Sequence, residues 1–333
     1  MVTGKVGKSL SETLHFDSAL DEVLSKKLLF VTGKGGVGKT TIATALGLLA
    51  LERGKRVLLC EVEPKGEIGR YFGVKKVGFE PTEVQKGLYV MEMDTEQALS
   101  EYLRIYLKIP IPTRIGPLAK AFDFVSNAAP GVREILVVGK LCYEVRRSNY
   151  DIIIADASAT GHVVSQLASP QGVNELFGVG LVKDQTKWML DILKNPTKSG
   201  ICLVSTAEET PVEEAIDLAQ RLGAETEVKL TLGVVNKIIP KIFSETEESF
   251  FIEMTQGPLR DTLDSEIGVA VEGLVDATSL WESLARSNQE NTTKLKDALK
   301  GAVPLVEVPV VPGVSVGIGL IREVAETIEV ELA

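Results

Sequence analysis

Cysteine is scarce in this 333-residue chain, and the little there is carries no pattern. Cys60, Cys142 and Cys202 form no CxxC pair. Their spacing supports neither a zinc site nor a disulfide framework, so no zinc is expected. Cys60 and Cys202 sit in short apolar runs that read as buried strands, and Cys142 in a helical stretch. All three are expected to be reduced core thiols. No apolar run approaches the ~20 residues of a membrane span. The opening stretch "MVTGKVGKSLSETLHF" has no apolar centre of signal-peptide length. The expected location is cytoplasmic, with peripheral docking on a membrane as the outer limit. Positive charge is also short: 36 Lys and Arg against 46 Asp and Glu give a formal net charge of -10. A general nucleic-acid binder wants a basic face, so no nucleic-acid partner is expected. Repeats, low-complexity tracts and obvious linkers are absent, and the methionines (Met1, Met91, Met93, Met189, Met254) are too few for a Met-rich groove.

What is present is an alternation of short apolar runs and helical stretches. "KLLFVT" (27–32) reads as a strand, followed by a glycine loop and an apolar helix from about Lys39 to Arg53. "KRVLLCEV", "GLYVMEMD", "YDIIIADA", "GICLVST", "LTLGVVN" and "PLVEVPVV" follow as further strands. Continuous Val- and Ile-rich runs of this length suit parallel strands covered on both faces. The fold class expected is α/β, a doubly wound, mostly parallel sheet, and the glycine loop "GKGGVGKT" between the first strand and its helix makes it of P-loop NTPase type. A polar lead-in covers 1–25, with a helix over Ser11–Lys26. Residues 95–149 and 241–300 look helical and are too long to be simple crossovers, with breaks at Pro110, Pro112, Pro117 and Pro130-Gly131 in the first, and residues 172–197 add a shorter helical piece. They read as insertions that form a helical subdomain within one domain spanning 1–333.

The chemistry is carried first by "GKGGVGKTT". Gly33, Gly38, Lys39 and Thr40 fit G-x-x-x-x-G-K-[ST]. Glycines at this spacing let backbone N–H groups turn inward on phosphate oxygens. Lys39 is expected to neutralise the outer phosphates and the Thr40 hydroxyl to ligate Mg²⁺. The cradle spans Gly33, Lys34, Gly35, Gly36, Val37, Gly38, Lys39, Thr40 and Thr41, and ATP and Mg²⁺ are the implied cofactors. Asp156 ends a buried strand, where a carboxylate can hold Mg²⁺, usually through water. From the general motif alone, Lys34 is a solvated loop lysine.

The whole stretch "KGGVGKT" resembles the deviant phosphate loop of a superfamily of dimeric ATPases. It includes plasmid-partition and cell-division ATPases, nitrogenase iron protein, and the arsenite-pump and tail-anchored-protein targeting ATPases. The resemblance implies that Lys34 reaches across a dimer interface to the partner's nucleotide. "DASATGHVVSQLASP" (Asp156–Pro170) is similar to the second switch of the arsenite-pump and targeting-factor branch. Asp156, Thr160, Gly161, His162, Leu167 and Pro170 agree with that pattern, and Ser158-Ala159 stand in place of Ala-Pro. A Gly-His turn there is expected to sense the γ-phosphate. "EVEPKGEIGRYFG" (Glu61–Gly73) resembles the first switch, with Pro64, Phe72 and Gly73 in place. The family's water-orienting aspartate falls on Glu63, whose extra methylene moves the carboxylate by roughly 1.5 Å. Slow hydrolysis follows as an expectation, and an exposed strand-end acid is the alternative. "STAEETPVEEAIDLAQRLG" and "APGVREILVVGKL" also fit the family pattern. "GVVNKIIP" resembles the segment that sets an asparagine on the adenine. Asn236 can pair both N6 and N7, or simply cap a turn. "VEVPVVPGVS", with Pro309 and Val310, would wall the base.

The departures shape the functional reading. The arsenite-pump subunit fuses two ATPase halves and clusters its cysteines. This chain has one phosphate loop and separated cysteines. The targeting factor's CxxC zinc clasp is also missing. "KWMLDILK" and "SFFIEMTQGPLRDTL" carry apolar stripes that suit ordinary helix packing or a client groove. The resemblance implies a homodimer, or a heterodimer with a paralogous ATPase. The leading expectation is a nucleotide-switched ATP hydrolase that binds a hydrophobic or membrane-protein client. The alternatives are a subunit energising a membrane anion transporter and a partition-type positioning ATPase. The last would need a basic DNA face or a membrane-binding tail, and "GLIREVAETIEVELA" is short and acidic.

Overall fold

The computed structural model describes residues 18–106, 131–176, 181–256, 259–267, 270–301, 303–311, 313 and 317–333. Among the described residues, the eight strands are β1 (Leu28–Gly33), β2 (Val57–Glu61), β3 (Thr82–Gln85), β4 (Leu88–Glu92), β5 (Ile152–Ala159), β6 (Ser199–Thr206), β7 (Leu230–Ile238) and β8 (Leu305–Pro309). They form one sheet in the order β3-β4-β2-β5-β1-β6-β7-β8. Every pairing is parallel except β3 with β4, so the doubly wound α/β fold of P-loop NTPase type is the observed one.

Strand alternation divides the core in two. Leu29 and Val31 of β1, Val57 and Leu59 of β2, and Ile152 and Ile154 of β5 face one way. They pack on α1 (Ala19–Leu24), α2 (Lys39–Glu52) and α12 (Ile318–Leu332). Leu28, Phe30, Leu58, Cys60, Ile153 and Ala155 face the other. That side is covered by α5 (Val132–Arg147), α6 (Thr160–Leu176), α7 (Leu181–Leu193), α8 (Glu209–Glu225) and the C-terminal part of α11 (Ala270–Leu299). The remaining helices are α3 (Glu67–Tyr71), α4 (Thr95–Tyr106), α9 (Glu245–Gln256) and α10 (Leu259–Ile267). Helix α2 is buried continuously from Ile42 to Ala50, which explains why its sequence is apolar all round. All three cysteines are buried and free, and burial pushes each thiol's pKa up. Lys140 of α5 donates to Glu101 of α4 (2.7 Å) and to Glu144 (2.8 Å), a buried ion cluster that ties the two helices together.

Several details differ from the sequence expectations. Strand β3 was not expected: "TEVQ" is short and half-exposed, and only its hairpin with β4, turned at Gly87 (φ 85°), makes it a strand. The helical piece expected to begin at 172 has no boundary there, because α6 runs unbroken through Pro170. Proline lacks the N–H that would bond the Gln166 carbonyl, and the Ser169 hydroxyl donates to that carbonyl instead (2.8 Å). The Gly161-His162 turn is likewise absent: β5 passes directly into α6, and both residues are exposed in its first turn. Helix α1 starts at Ala19, capped by the Ser18 hydroxyl, while the expected start at Ser11 lies outside the described residues. So do Pro110, Pro112, Pro117 and Pro130, and parts of "SFFIEMTQGPLRDTL" and "VEVPVVPGVS".

Candidate active site

The site grows from the C-terminal ends of β1, β2 and β5. Strand β1 ends at Gly33, where a Cβ would lie 2.0 Å from the Val204 carbonyl oxygen of β6. Only glycine lets the chain leave the strand so close to its neighbour. Gly38 caps α2 at φ 96°, and a Cβ there would meet Asn236 Nδ2 at 2.3 Å. The intervening residues make the loop, and the N–H groups of the first turn of α2 open onto its mouth, where negative charge is favoured.

Lys39 folds back across the loop, its Nζ donating to the carbonyls of Gly33 and Lys34 (both 3.2 Å). Burial lowers its pKa, and the nearby Asp156 opposes that shift. Lys65 adds to the lowering, while Glu63 and Glu67 oppose it. The ammonium thus sits in the field of the loop that follows β2. Thr40 Oγ1 donates to Asp156 Oδ2 at 2.6 Å. Asp156 Oδ1 is buried with no hydrogen-bond partner among the described residues. Burial pushes the Asp156 carboxyl up to about 6, with the Thr40 hydrogen bond and Lys39 opposing. A hydroxyl and a carboxylate with an unused buried oxygen form an oxygen-only donor set, which fits Mg²⁺. Thr41 Oγ1 lies 3.5 Å from the Tyr71 hydroxyl of α3, linking the loop helix to the segment after β2.

Other expected site residues lie differently. Lys34 is turned away from the Lys39 side of the loop, and its Nζ pairs with Glu214 Oε1 of α8 at 2.7 Å. It lines a cleft of about 400 Å³ with Gly36, Thr206, Glu208, Thr210 and Lys237. Glu63 is exposed beyond the end of β2, 4.0 Å from Lys65. Asn236 is buried against the loop: Nδ2 donates to the Val37 carbonyl (2.8 Å), and Oδ1 accepts from Lys237 N (2.9 Å). Its amide thus braces the loop, leaving one N–H and one lone pair for any base. Pro309 ends the edge strand β8 next to β7, and Val310 just beyond it donates its N–H to the Ile238 carbonyl (2.9 Å). Pro309 lines a second cleft of about 430 Å³ with Ile238, Lys241, Gln289 and Lys296.

Three residues of this neighbourhood escaped the sequence reading. Glu61 is buried at the end of β2 and accepts backbone N–H bonds from Lys65, Gly66 and Ile68. An acid inside the apolar run "VLLCEV" was the available signal. Lys237 adopts φ 60°, uncommon for a residue with a side chain, and donates to the Gly36 carbonyl (3.1 Å). Glu214, the partner of Lys34, is 180 residues away in sequence and left no local signal.

A strand, glycine loop and helix bearing this lysine and hydroxyl, with an aspartate from the adjacent strand, define a P-loop nucleotide hydrolase. Residues 26–189 match the model of the anion-transporting ATPase family. The chain is 29% identical over 322 residues to the ATPase BagA of Mycobacterium tuberculosis, covering 91% of this chain and 92% of that one. A putative arsenical pump-driving ATPase of Halobacterium salinarum is 26% identical over 317 residues, 79% of this chain and 48% of its own. An ATPase ASNA1 homolog of Plasmodium falciparum is 26% identical over 245 residues, 72% of this chain and 62% of its own. The family resemblance read in the sequence is thus borne out, and so is the enzyme class: the chain is an ATP hydrolase. Among the described residues, no helix is long and apolar enough to cross a membrane.

Proposed function

We propose that the chain is a dimeric ATPase whose nucleotide state controls binding of a hydrophobic or membrane-protein client. The observation that carries this reading is the N-terminal half of α11. Leu274 and Leu280 are 69% and 62% exposed, and Leu284, also exposed, lies one turn beyond Leu280. The C-terminal half of the same helix buries Leu295 and Leu299 on the sheet. Phe250, Ile252 and Leu259 of α9 and α10 are exposed nearby in sequence. An apolar stripe continuing past the edge of its core suits an apolar helix of a partner. In this reading, the stretches 95–149, 172–197 and 241–300 form one helical subdomain of a single ATPase domain.

At the site, Lys39 and the loop N–H groups bind the phosphates, and Thr40 and Asp156 hold Mg²⁺. The metal supplies neutralisation of charge on the transferred phosphoryl group. Glu63 orients the attacking water, and Asn236 contacts the base, with Pro309 and Val310 beside it. Lys34 exchanges Glu214 for phosphates held by the other subunit, in a homodimer or with a paralogue. The family description favours a second reading, an ATPase energising an anion transporter. Burial of all three cysteines on separate elements weighs against stimulation by a thiol-seeking metalloid. The positioning reading gains little, because the apolar face of α12 (Ile321, Val324, Ile328) packs into the core instead of facing a membrane.

A labelled peptide of about 20 Leu and Ala residues, the length of a membrane span, tests the client reading by fluorescence anisotropy. Saturable binding with MgATP, weaker with ADP and weakened by Leu280→Glu, is expected. Equal binding in both nucleotide states, or indifference to that substitution, overturns it.

A further inference from the structure

We propose that Glu61 is a positioning residue for ATP hydrolysis: its buried carboxylate fixes the loop that carries Glu63 at the mouth of the phosphate site. The inference rests on the reading of Glu63 as the water-orienting acid. Glu61 is the last residue of β2 and only 2% exposed. Its Oε2 accepts from Lys65 N (3.0 Å) and Gly66 N (2.8 Å), and its Oε1 accepts from Ile68 N. These donors are the approach to α3 and its first turn, with Gly66 as the cap at φ 65°. At the other end of the loop, Val62 N donates to the Asp156 carbonyl (3.1 Å). The backbone is therefore clamped on both sides of Glu63 and Pro64, while the Glu63 side chain is exposed, 4.0 Å from Lys65.

The same clamp joins this loop to the rest of the machinery. Glu61 lies in register with Asp156 of β5 on one side and Glu92 of β4 on the other. Glu92 packs close to Gly66: a Cβ there would stand 3.6 Å from Glu92 Oε1. Beyond the clamp, Tyr71 of α3 reaches Thr41 of the phosphate-loop helix. A carboxylate buried between two other acids is a costly way to fill space, and an apolar side chain would fill it more cheaply. What an apolar residue cannot do is accept three converging N–H bonds and so specify a single loop conformation. Holding a catalytic group within a fraction of an ångström of its productive place is worth one to two orders of magnitude in rate.

Steady-state ATPase kinetics on the full chain test this. Glu61→Gln keeps the size of the side chain but turns an NH₂ toward backbone donors. Its kcat is expected to fall about 10-fold with KM for MgATP within about 2-fold, the signature of an interaction expressed in the transition state. Glu61→Asp, which keeps the charge but withdraws the oxygens by roughly 1.5 Å, is expected to lie between it and the wild type. It also serves as the second variant should the glutamine form fail to fold. The double variant Glu61→Gln/Glu63→Gln is expected to be no more than about 2-fold slower than Glu63→Gln alone, because both act through one group. Wild-type kcat in Glu61→Gln alongside a slow Glu63→Gln, or fully additive losses, overturns the positioning role alone. Wild-type turnover by Glu63→Gln instead overturns the reading on which it rests.

Discussion

The phosphate-loop end of the sheet and the N-terminal half of α11 are built on opposite terms. At the loop, nearly every polar group is committed. Lys39 bonds two carbonyls, Thr40 bonds Asp156, and Asn236 and Lys237 hold Val37 and Gly36. Beneath it, α2 has no solvent face from Ile42 to Ala50. On α11, leucines face water at Leu274, Leu280 and Leu284. The difference teaches where information sits. A site that must present several groups to one ligand is over-determined by its fold. A surface proposed to accept varied apolar segments need only remain uncovered.

The largest expected effect falls on the determined region. Lys39→Ala should lower ATP turnover by on the order of 10³-fold or more, as when charge stabilisation of the phosphoryl group is removed. Equilibrium dialysis with MgATP should find no tight binding, and near-normal binding would break the assignment. Next comes the direct contrast in packing. Leu46→Ala, inside α2, should cost about 2–5 kcal/mol by chemical denaturation. Leu280→Ala should stay within about 0.5 kcal/mol of wild type. Similar costs at the two positions would mean that the α11 stripe is covered in solution.

The third prediction concerns Asp156, where function and stability oppose each other. The folded state holds its proton up to about 6, whereas a free carboxyl releases it near 3.8. Between those values the folded form binds more protons, so this group's contribution to stability falls as pH rises through that window. Above it, at about 1.4 kcal/mol per pKa unit, the cost is on the order of 3 kcal/mol. Asp156→Asn should therefore melt higher than wild type at pH 7 without nucleotide, with the gap closing below about pH 4, while Mg²⁺-dependent turnover is lost. A lower melting point at pH 7 would sink the argument. The smallest effect belongs to Glu214→Ala. Its partly exposed pair with Lys34 should contribute less than about 0.5 kcal/mol, measured by urea titration. A larger loss would mean that Lys34 is fixed rather than free to exchange partners.

Much of this was legible in the sequence because parallel strands buried on both faces must be continuously apolar. Seven of the runs read as strands are strands, and the glycine loop falls where its spacing put it. The positions of Lys39, Thr40 and Asp156 relative to one another followed from β1 and β5 being neighbours. Strand β3 was invisible because four half-exposed residues carry too short a pattern. The bracing role of Asn236 and the Lys34–Glu214 pair depend on contacts across 199 and 180 residues, which no local signal encodes. The passage of α6 through Pro170 depended on a serine hydroxyl supplying a substitute bond, a local compensation that the proline alone does not announce.

The strand order carries a consequence for how the protein is made. Strand β1 is flanked by β5 and β6, and Asn236 at the end of β7 closes against the phosphate loop. The glycine loop leaves the ribosome early, yet the neighbours that shape it are synthesised 120 or more residues later. A nascent chain that has not yet emitted β7 holds the motif without the Asn236 brace on Val37. The phosphate loop therefore gains its Asn236 and Lys237 contacts only once β7 is in place.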